Sequence, residues 1–228
     1  PEQCPWQANV YAFDVYDQNH SILYCGTETG YVNKTTDKGL TWEMVGKNYP
    51  FGGGVPAVAI HPENENIVYV SAGNQIHKTI DGGNTWQPLL SAESQFGAVR
   101  LKINPENYSF LTAASSSGIF ITTDGGATWI KKWSNPTWDV EFKPGNPEVI
   151  YGLSKNIYGK FQIVVSENEG ISFQTDLKFP DNYTEASGGL LAVDADVFYN
   201  AFSDAGRELV ADIRAWRTKY SASLILLR

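Results

Sequence analysis

"TTDKGLTWE", residues 35–43, decides how this chain is read. An Asp, a Gly, a Thr and a Trp fall in one tight run, and close copies follow: "TIDGGNTWQ" at 79–87 and "TTDGGATWI" at 122–130. A degenerate fourth copy, "SENEGISFQ" at 166–174, puts Asn168 in the Asp position and Phe173 in the Trp position. The marker residues Asp37, Asp81, Asp124 and Asn168 are spaced by 44, 43 and 44 residues. Such regularity marks a structural repeat.

A second signal runs in phase. Upstream of each marker lies an apolar run, a turn and another apolar run, as in "VPAVAIHPENENIVYVSAG" and "AVRLKINPENYSFLTAASS". These runs are short, rich in Val, Ile, Tyr and Phe, and bounded by Pro, Asn and Gly, so they read as strands. Each unit then holds four strands, A to D. In the second they are expected at 57–61, 67–72, 75–80 and 85–89. Four strands in a repeat of about 40–45 residues make a β-propeller blade, which buries its faces only against neighbouring blades. The competing reading, one irregular sandwich, does not explain the phase. The expected fold is therefore all-β, a propeller with four blades plus part of a fifth. The units are 7–50, 51–93, 94–135, 136–180 and a partial 185–202. After them Ala205, Leu209, Ile213, Trp216 and Tyr220 recur at helical spacing, so 203–228 is read as a non-repeat tail, a helix and then an apolar end.

The marker lies between strands C and D. Its Asp is expected to accept hydrogen bonds from turn N–H groups. Gly39, Gly83, Gly126 and Gly170 supply the positive φ that reverses the chain. The Thr hydroxyls are expected to tie the turn to a neighbouring strand. Trp42, Trp86, Trp129 and Phe173 are expected to open strand D and bury a ring against the next sheet. Tolerance of Asn and Phe in the fourth copy argues for structure rather than catalysis. The motif resembles the Asp-box, or BNR, repeat of sialidases, sortilin-type receptors, xyloglucanase-type glycoside hydrolases and photosystem assembly factors. The phrase "LYCGTETGYVNKTTDKGLTW" is most similar to repeat proteins secreted by Bacteroidetes-type bacteria. The resemblance covers about residues 7–200 and implies fold rather than activity, since that family spans enzymes and non-enzymes. It also implies that ligands sit on the propeller face away from the motif.

Composition narrows the function. The net charge is −8, which disfavours nucleic acid as a partner because phosphate neutralisation needs Lys and Arg. No apolar run approaches the ~18 residues of a membrane span, and no membrane insertion is expected. Sialidase-type recognition of a carboxylate sugar uses clustered arginines, but up to residue 200 the chain carries one, Arg100. The histidines are scattered and the two cysteines, Cys4 and Cys25, are far apart, so neither a metal nor a cofactor is expected. A neutral-sugar glycosidase needs only two carboxylates about 5–10 Å apart. Propeller connectivity puts the B–C and D–A loops on one face, and Glu28, Glu93 and Glu185 fall there. Glu28, in "GTETG", stands where xyloglucanase-like enzymes carry a catalytic Asp in T-D-V-G-G, which makes it the one catalytic candidate. Its alternative is a solvated loop residue. The same loops carry Tyr49, Phe51, Phe96, Trp138, Tyr158 and Tyr183, with Asn74 among them. Aromatic faces beside amides suit a sugar or peptide, whereas plain interblade packing is the alternative. Finally, aligning the inner strands on their prolines makes Arg100 equivalent to Asp139, and Lys102 to Glu141. A charge ladder between adjacent A strands is expected. The sequence reading is thus a non-catalytic binding or scaffold module for a protein or carbohydrate, extracytoplasmic or secreted. The alternatives are a xyloglucanase-like hydrolase, or a fragment of one, and an assembly factor working by protein contacts.

Overall fold

The computed structural model describes residues 9–89, 96–178, 190–194 and 197–200. Blade one is β1 (Val10–Val15), β2 (Leu23–Thr27), β3 (Val32–Thr35) and β4 (Glu43–Val45). Blade two is β5 (Ala57–His61), β6 (Asn64–Ala72), β7 (Gln75–Thr79) and β8 (Gln87–Pro88). Blade three is β9 (Ala98–Ile103), β10 (Leu111–Ser115), β11 (Gly118–Thr122) and β12 (Ile130–Trp133). Blade four is β13 (Thr137–Phe142), β14 (Ile150–Lys155), β15 (Phe161–Ser166) and β16 (Gln174–Lys178). Each is an antiparallel meander, and β17 (Leu190–Asp194) with β18 (Val197–Asn200) begins a fifth sheet. The helical tail expected at 203–228 and Cys4 lie outside the described residues; Cys25 is buried. Among the described residues no helix is long and apolar enough to cross a membrane.

The core sits between blades rather than within them. Val32, Val45, Phe51, Val58, Val70 and Trp86 form one cluster across blades one and two. Tyr69, Ile76, Leu101, Phe120 and Trp129 form the next, and Ile119, Ile121, Val140, Phe142 and Val164 the third. This is why the repeat needs neighbours: a lone blade would leave both of these faces wet.

Two polar devices reinforce the junctions. Tyr24 donates its hydroxyl hydrogen to the carbonyls of Gly82 and Glu65 in blade two, and Tyr69 donates to Gly125 in blade three. Lys34 and Lys78 lie over these rings, 5.4 and 4.9 Å from their centroids. At the equivalent place blade three has Thr112, wholly buried, its hydroxyl without a partner. Thr112→Val is expected to stabilise the fold by about 1 kcal/mol, because it removes a desolvated hydroxyl without changing side-chain shape. A rise in the urea midpoint checks this.

The second device is the expected charge ladder, and it is present. Arg100 Nε lies 2.9 Å from Asp139 Oδ1, and Lys102 Nζ lies 2.7 Å from Glu141 Oε1. Asp14 of blade one occupies the same level as Lys102 and Glu141. It accepts hydrogen bonds from the N–H groups of Ile60 (2.7 Å) and Val15 (3.0 Å).

Candidate functional site

The repeated C–D turn has one geometry in all four copies. In the first, Thr35 donates its hydroxyl hydrogen to Asp37 Oδ1 (2.7 Å) and accepts from the N–H groups of Asp37 and Gly39. Asp37 in turn accepts from Thr41 N–H (2.8 Å) and Thr41 Oγ1 (2.6 Å). Copies two and three repeat this at Thr79, Asp81 and Thr85, and at Thr122, Asp124 and Thr128. The threonines therefore lock the turn on itself, which corrects the expectation that they reach a neighbouring strand. In the fourth copy Asn168 Oδ1 accepts from Ser172 N–H and from Ser166, while its Nδ2 donates to Ser172 Oγ. The network survives with one bond reversed.

The chain turns through two successive left-handed residues. Gly39, Gly83, Gly126 and Gly170 are the second, with φ of 85°, 96°, 93° and 73°, and Lys38, Gly82, Gly125 and Glu169 are the first. Trp42, Trp86 and Trp129 sit one residue before their D strands rather than opening them, and Phe173 likewise precedes β16. D strands are also shorter than expected: β8 is Gln87–Pro88 against an expected 85–89. Trp86 and Trp129 are buried against the preceding blade, and Phe173 packs on the cluster of blades three and four. Trp42 is half-buried.

These bonds set an acid limb. The Thr41 hydroxyl and N–H hold Asp37 at about 2, and those of Thr85 hold Asp81 at about 2. For Asp124 burial works upward, but the bonds from Thr128 and Thr122 prevail and hold it low. A depressed carboxylate contributes stability above its unfolded value, and that contribution is lost as pH falls from roughly 4 through 2. Asp14 runs the other way: desolvation between the inner strands pushes it up to about 6, against the Ile60 hydrogen bond and Lys102. Its contribution is complete below roughly pH 4 and is lost as pH rises through about 6. Urea midpoints measured across this range are expected to climb to near pH 4 and then lose ground, and Asp14→Asn is expected to reduce the second slope, the remainder coming from Glu141, which burial also pushes up.

The opposite face is built by the B–C and D–A loops. Glu28 is half-buried there, accepting a hydrogen bond from Asn9 Nδ2 at 2.8 Å. Glu93, Glu185 and Tyr183 lie outside the described residues. Several aromatics nominated by the sequence pack against neighbouring side chains. The Tyr49 hydroxyl bonds His77 Nδ1 at 2.8 Å, while His77 Nε2–H donates to the Ala72 carbonyl. One neutral tautomer satisfies both, and burial keeps His77 below its ordinary range. Phe51 is buried edge-on to Trp86, and Phe96 stacks on Phe120. Asn74, at φ 62°, is an exposed turn residue between β6 and β7.

Trp138 and Tyr158 remain at the surface, 36% and 80% exposed. Lys155 Nζ lies 5.0 Å from the Trp138 ring centroid and 4.6 Å from that of Phe161. What the sequence did not reveal is the reason for Trp138's position. The β13–β14 register shifts between Thr137 and Asp139, leaving Trp138 as an extra residue. The same shift occurs around Tyr11 in blade one and Val99 in blade three. All three side chains are exposed at the start of an A strand, and so at the B–C/D–A end. Such bulges re-aim a side chain out of the ladder. Ile157 adds 79% exposure beside Tyr158. A separate groove of about 550 Å3 opens on the outer rim between blades one and two. It is lined by Lys34, Glu43, Lys47, Asn48, Asn84 and Thr85, with Met44, Tyr49 and Trp86 among them.

No family model matches the chain. A xyloglucanase of Hypocrea jecorina (strain QM6a) is 29% identical over 101 residues, covering 38% of this chain and 12% of that protein. Among solved structures, an ancestral GH74 enzyme superposes with a TM-score of 0.72 at 21% identity, over 89% of this chain and 28% of that one. YCF48 bound to D1 peptide superposes with a TM-score of 0.59 at 16% identity, over 79% of this chain and 56% of that one. The chain thus spans about an eighth of the curated relative and less than two thirds of these solved neighbours. At such identities the likeness bears on architecture, and it agrees with the meander blades: this is a β-propeller chain.

Proposed function

We propose that this chain is a non-catalytic β-propeller binding or scaffold module, part of an Asp-box type repeat protein that works outside the cytoplasm. Its ligand surface is the B–C/D–A face, and its partner is a protein or a glycan. One observation carries the reading: at that end bulges turn Tyr11, Val99 and Trp138 out of their ladders and the β14–β15 loop exposes Ile157 and Tyr158, whereas the exposed apolar residues of the C–D turns, Leu40, Ile80 and Ile171, come singly, one to a turn. Apolar side chains held in the open by bulges and loops cost solubility unless something covers them. The C–D turns at the other end spend their polar groups on themselves. Glu28 fits a structural part, since its carboxylate fastens Asn9 to the loop.

A second reading, a xyloglucanase-like hydrolase or a piece of one, draws on the 29% identity over 101 residues. A third, an assembly factor acting by protein contacts, draws on the likeness to YCF48 and differs from the first only in its partner. A glycan array run beside hydrolysis assays on xyloglucan and other neutral β-glucans tests the proposal. Binding without turnover is expected. Turnover abolished by Glu28→Gln would overturn it in favour of the hydrolase.

A further inference from the structure

We infer that the groove on the outer rim between blades one and two is a second ligand site, and that it takes a neutral oligosaccharide. It lies apart from the B–C/D–A face and stands whether or not that face binds. Its volume, about 550 Å3, falls within the range of small-molecule sites. One wall is β4, the outermost strand of blade one, with residues 46–49 that follow it. The other is the C–D turn of blade two, residues 82–86. Glycines let the two walls meet. A Cβ on Gly46 would stand 2.6 Å from the Trp86 ring, and one on Gly83 would stand 2.7 Å from Val45. Direct contact therefore closes the floor, and the groove is formed before a ligand arrives.

The lining chooses the class of ligand. Glu43, Lys47 and Asn48 are exposed along the blade-one wall, and among the described residues their side chains make no hydrogen bond or ion pair. Facing them, Asn84 and Thr85 are already spent on Asp81. The Tyr49 hydroxyl bonds His77 and Trp86 Nε1–H donates to Gly83, so these rings offer the groove only apolar surface. A carboxylate, an ammonium and an amide thus stand free over a small apolar patch. Sugar hydroxyls suit all three, donating to Glu43 and accepting from Lys47 and Asn48, while a C–H face of the ring covers Tyr49 and half-buried Met44.

Other ligands fit less well. An anion would meet Glu43, which stands directly across the β3–β4 pair from Lys34 and offsets it. An apolar segment would find little to cover, since Trp86 is only 7% exposed. A peptide strand adding to β4 would find a three-residue edge, short for backbone pairing.

The test is a fluorescence anisotropy titration of the whole chain against fluorescein-labelled cellohexaose, maltohexaose and mannohexaose. A labelled Thr–Val peptide serves as the strand partner. Glu43→Gln and Asn48→Ala change exposed side chains, and melts check that both variants fold. Tyr158→Ala tells the rim from the B–C/D–A face. At least one glycan is expected to bind, and each rim variant is expected to bind it at least about fivefold more weakly. Binding of none of the glycans overturns the inference, and so does glycan binding that both rim variants keep in full. Weakening in Tyr158→Ala alone would put the glycan on the B–C/D–A face and overturn the rim site. Binding of the peptide in place of the glycans would make the groove a strand-docking edge and also overturn it.

Discussion

Gly118→Ala is expected to be the most damaging single methyl in the described part of the chain, costing more than about 4 kcal/mol. Gly118 opens β11 at φ 128°, where an L side chain is strained. A Cβ there would run into the backbone carbonyl of Trp133, at the end of β12 and next to Ser134. Backbone cannot swing aside as a flexible side chain can. Relief would require opening the β11–β12 pairing, and with it the Trp133 Nε1–H bond to Ser154 that ties blade three to blade four. Gly145→Ala is the control. It has φ 73° with nothing within 4 Å of the added methyl, so only the backbone strain of about 1–2 kcal/mol remains. Urea denaturation of the two variants should separate the contact from the dihedral.

Arg100→Met is expected to cost about 3 kcal/mol. Asp139 is 1% exposed and Arg100 40% exposed, so the arginine brings its charge to a carboxylate that water does not reach. Removing it takes the guanidinium from a buried carboxylate that keeps its other bonds, including that from Val140 N–H. Breaking one side of a buried pair typically costs 3–5 kcal/mol, and partial solvent access at Arg100 puts this pair at the lower end. The double variant Arg100→Met, Asp139→Leu is expected to recover most of the loss, because the carboxylate's desolvation goes with it. Lys102→Met should cost less, since Glu141 keeps 16% exposure. Burial already pushes Glu141 upward despite Lys102, so it can take up a proton rather than unfold the sheet.

The ladder and the bulges show where sequence reasoning succeeds and where it stops. Arg100–Asp139 and Lys102–Glu141 were legible because strand pairing converts spacing from a shared proline into height along the axis. The four-stranded units, the turn and its glycines were legible for the same reason, since repetition exposes register. Bulges at Tyr11, Val99 and Trp138 were not: one extra residue changes no composition and breaks no pattern long enough to notice. Nor does a loop sequence say which way an aromatic points. Tyr49 and Phe51 look as available as Trp138 until His77 and Trp86 are seen against them. The Tyr24 hydroxyl meets its acceptor at Gly82, far along the chain, and only the folded junction brings the two together. The left-handed Lys38 and Glu169 were hidden because glycine fills that place in the other two copies.

The proposed division is by end: turns that hold the molecule and a face left free to bind. The most direct measurement is urea denaturation of Asp81→Ala beside Tyr158→Ala. Asp81→Ala strands the N–H and hydroxyl donors of Thr85 and should lower stability by about 1–3 kcal/mol. Tyr158→Ala, at an 80% exposed loop position, should melt with the parent chain. An Asp81→Ala variant as stable as the parent, or a Tyr158→Ala variant as destabilised as Asp81→Ala, would contradict the division.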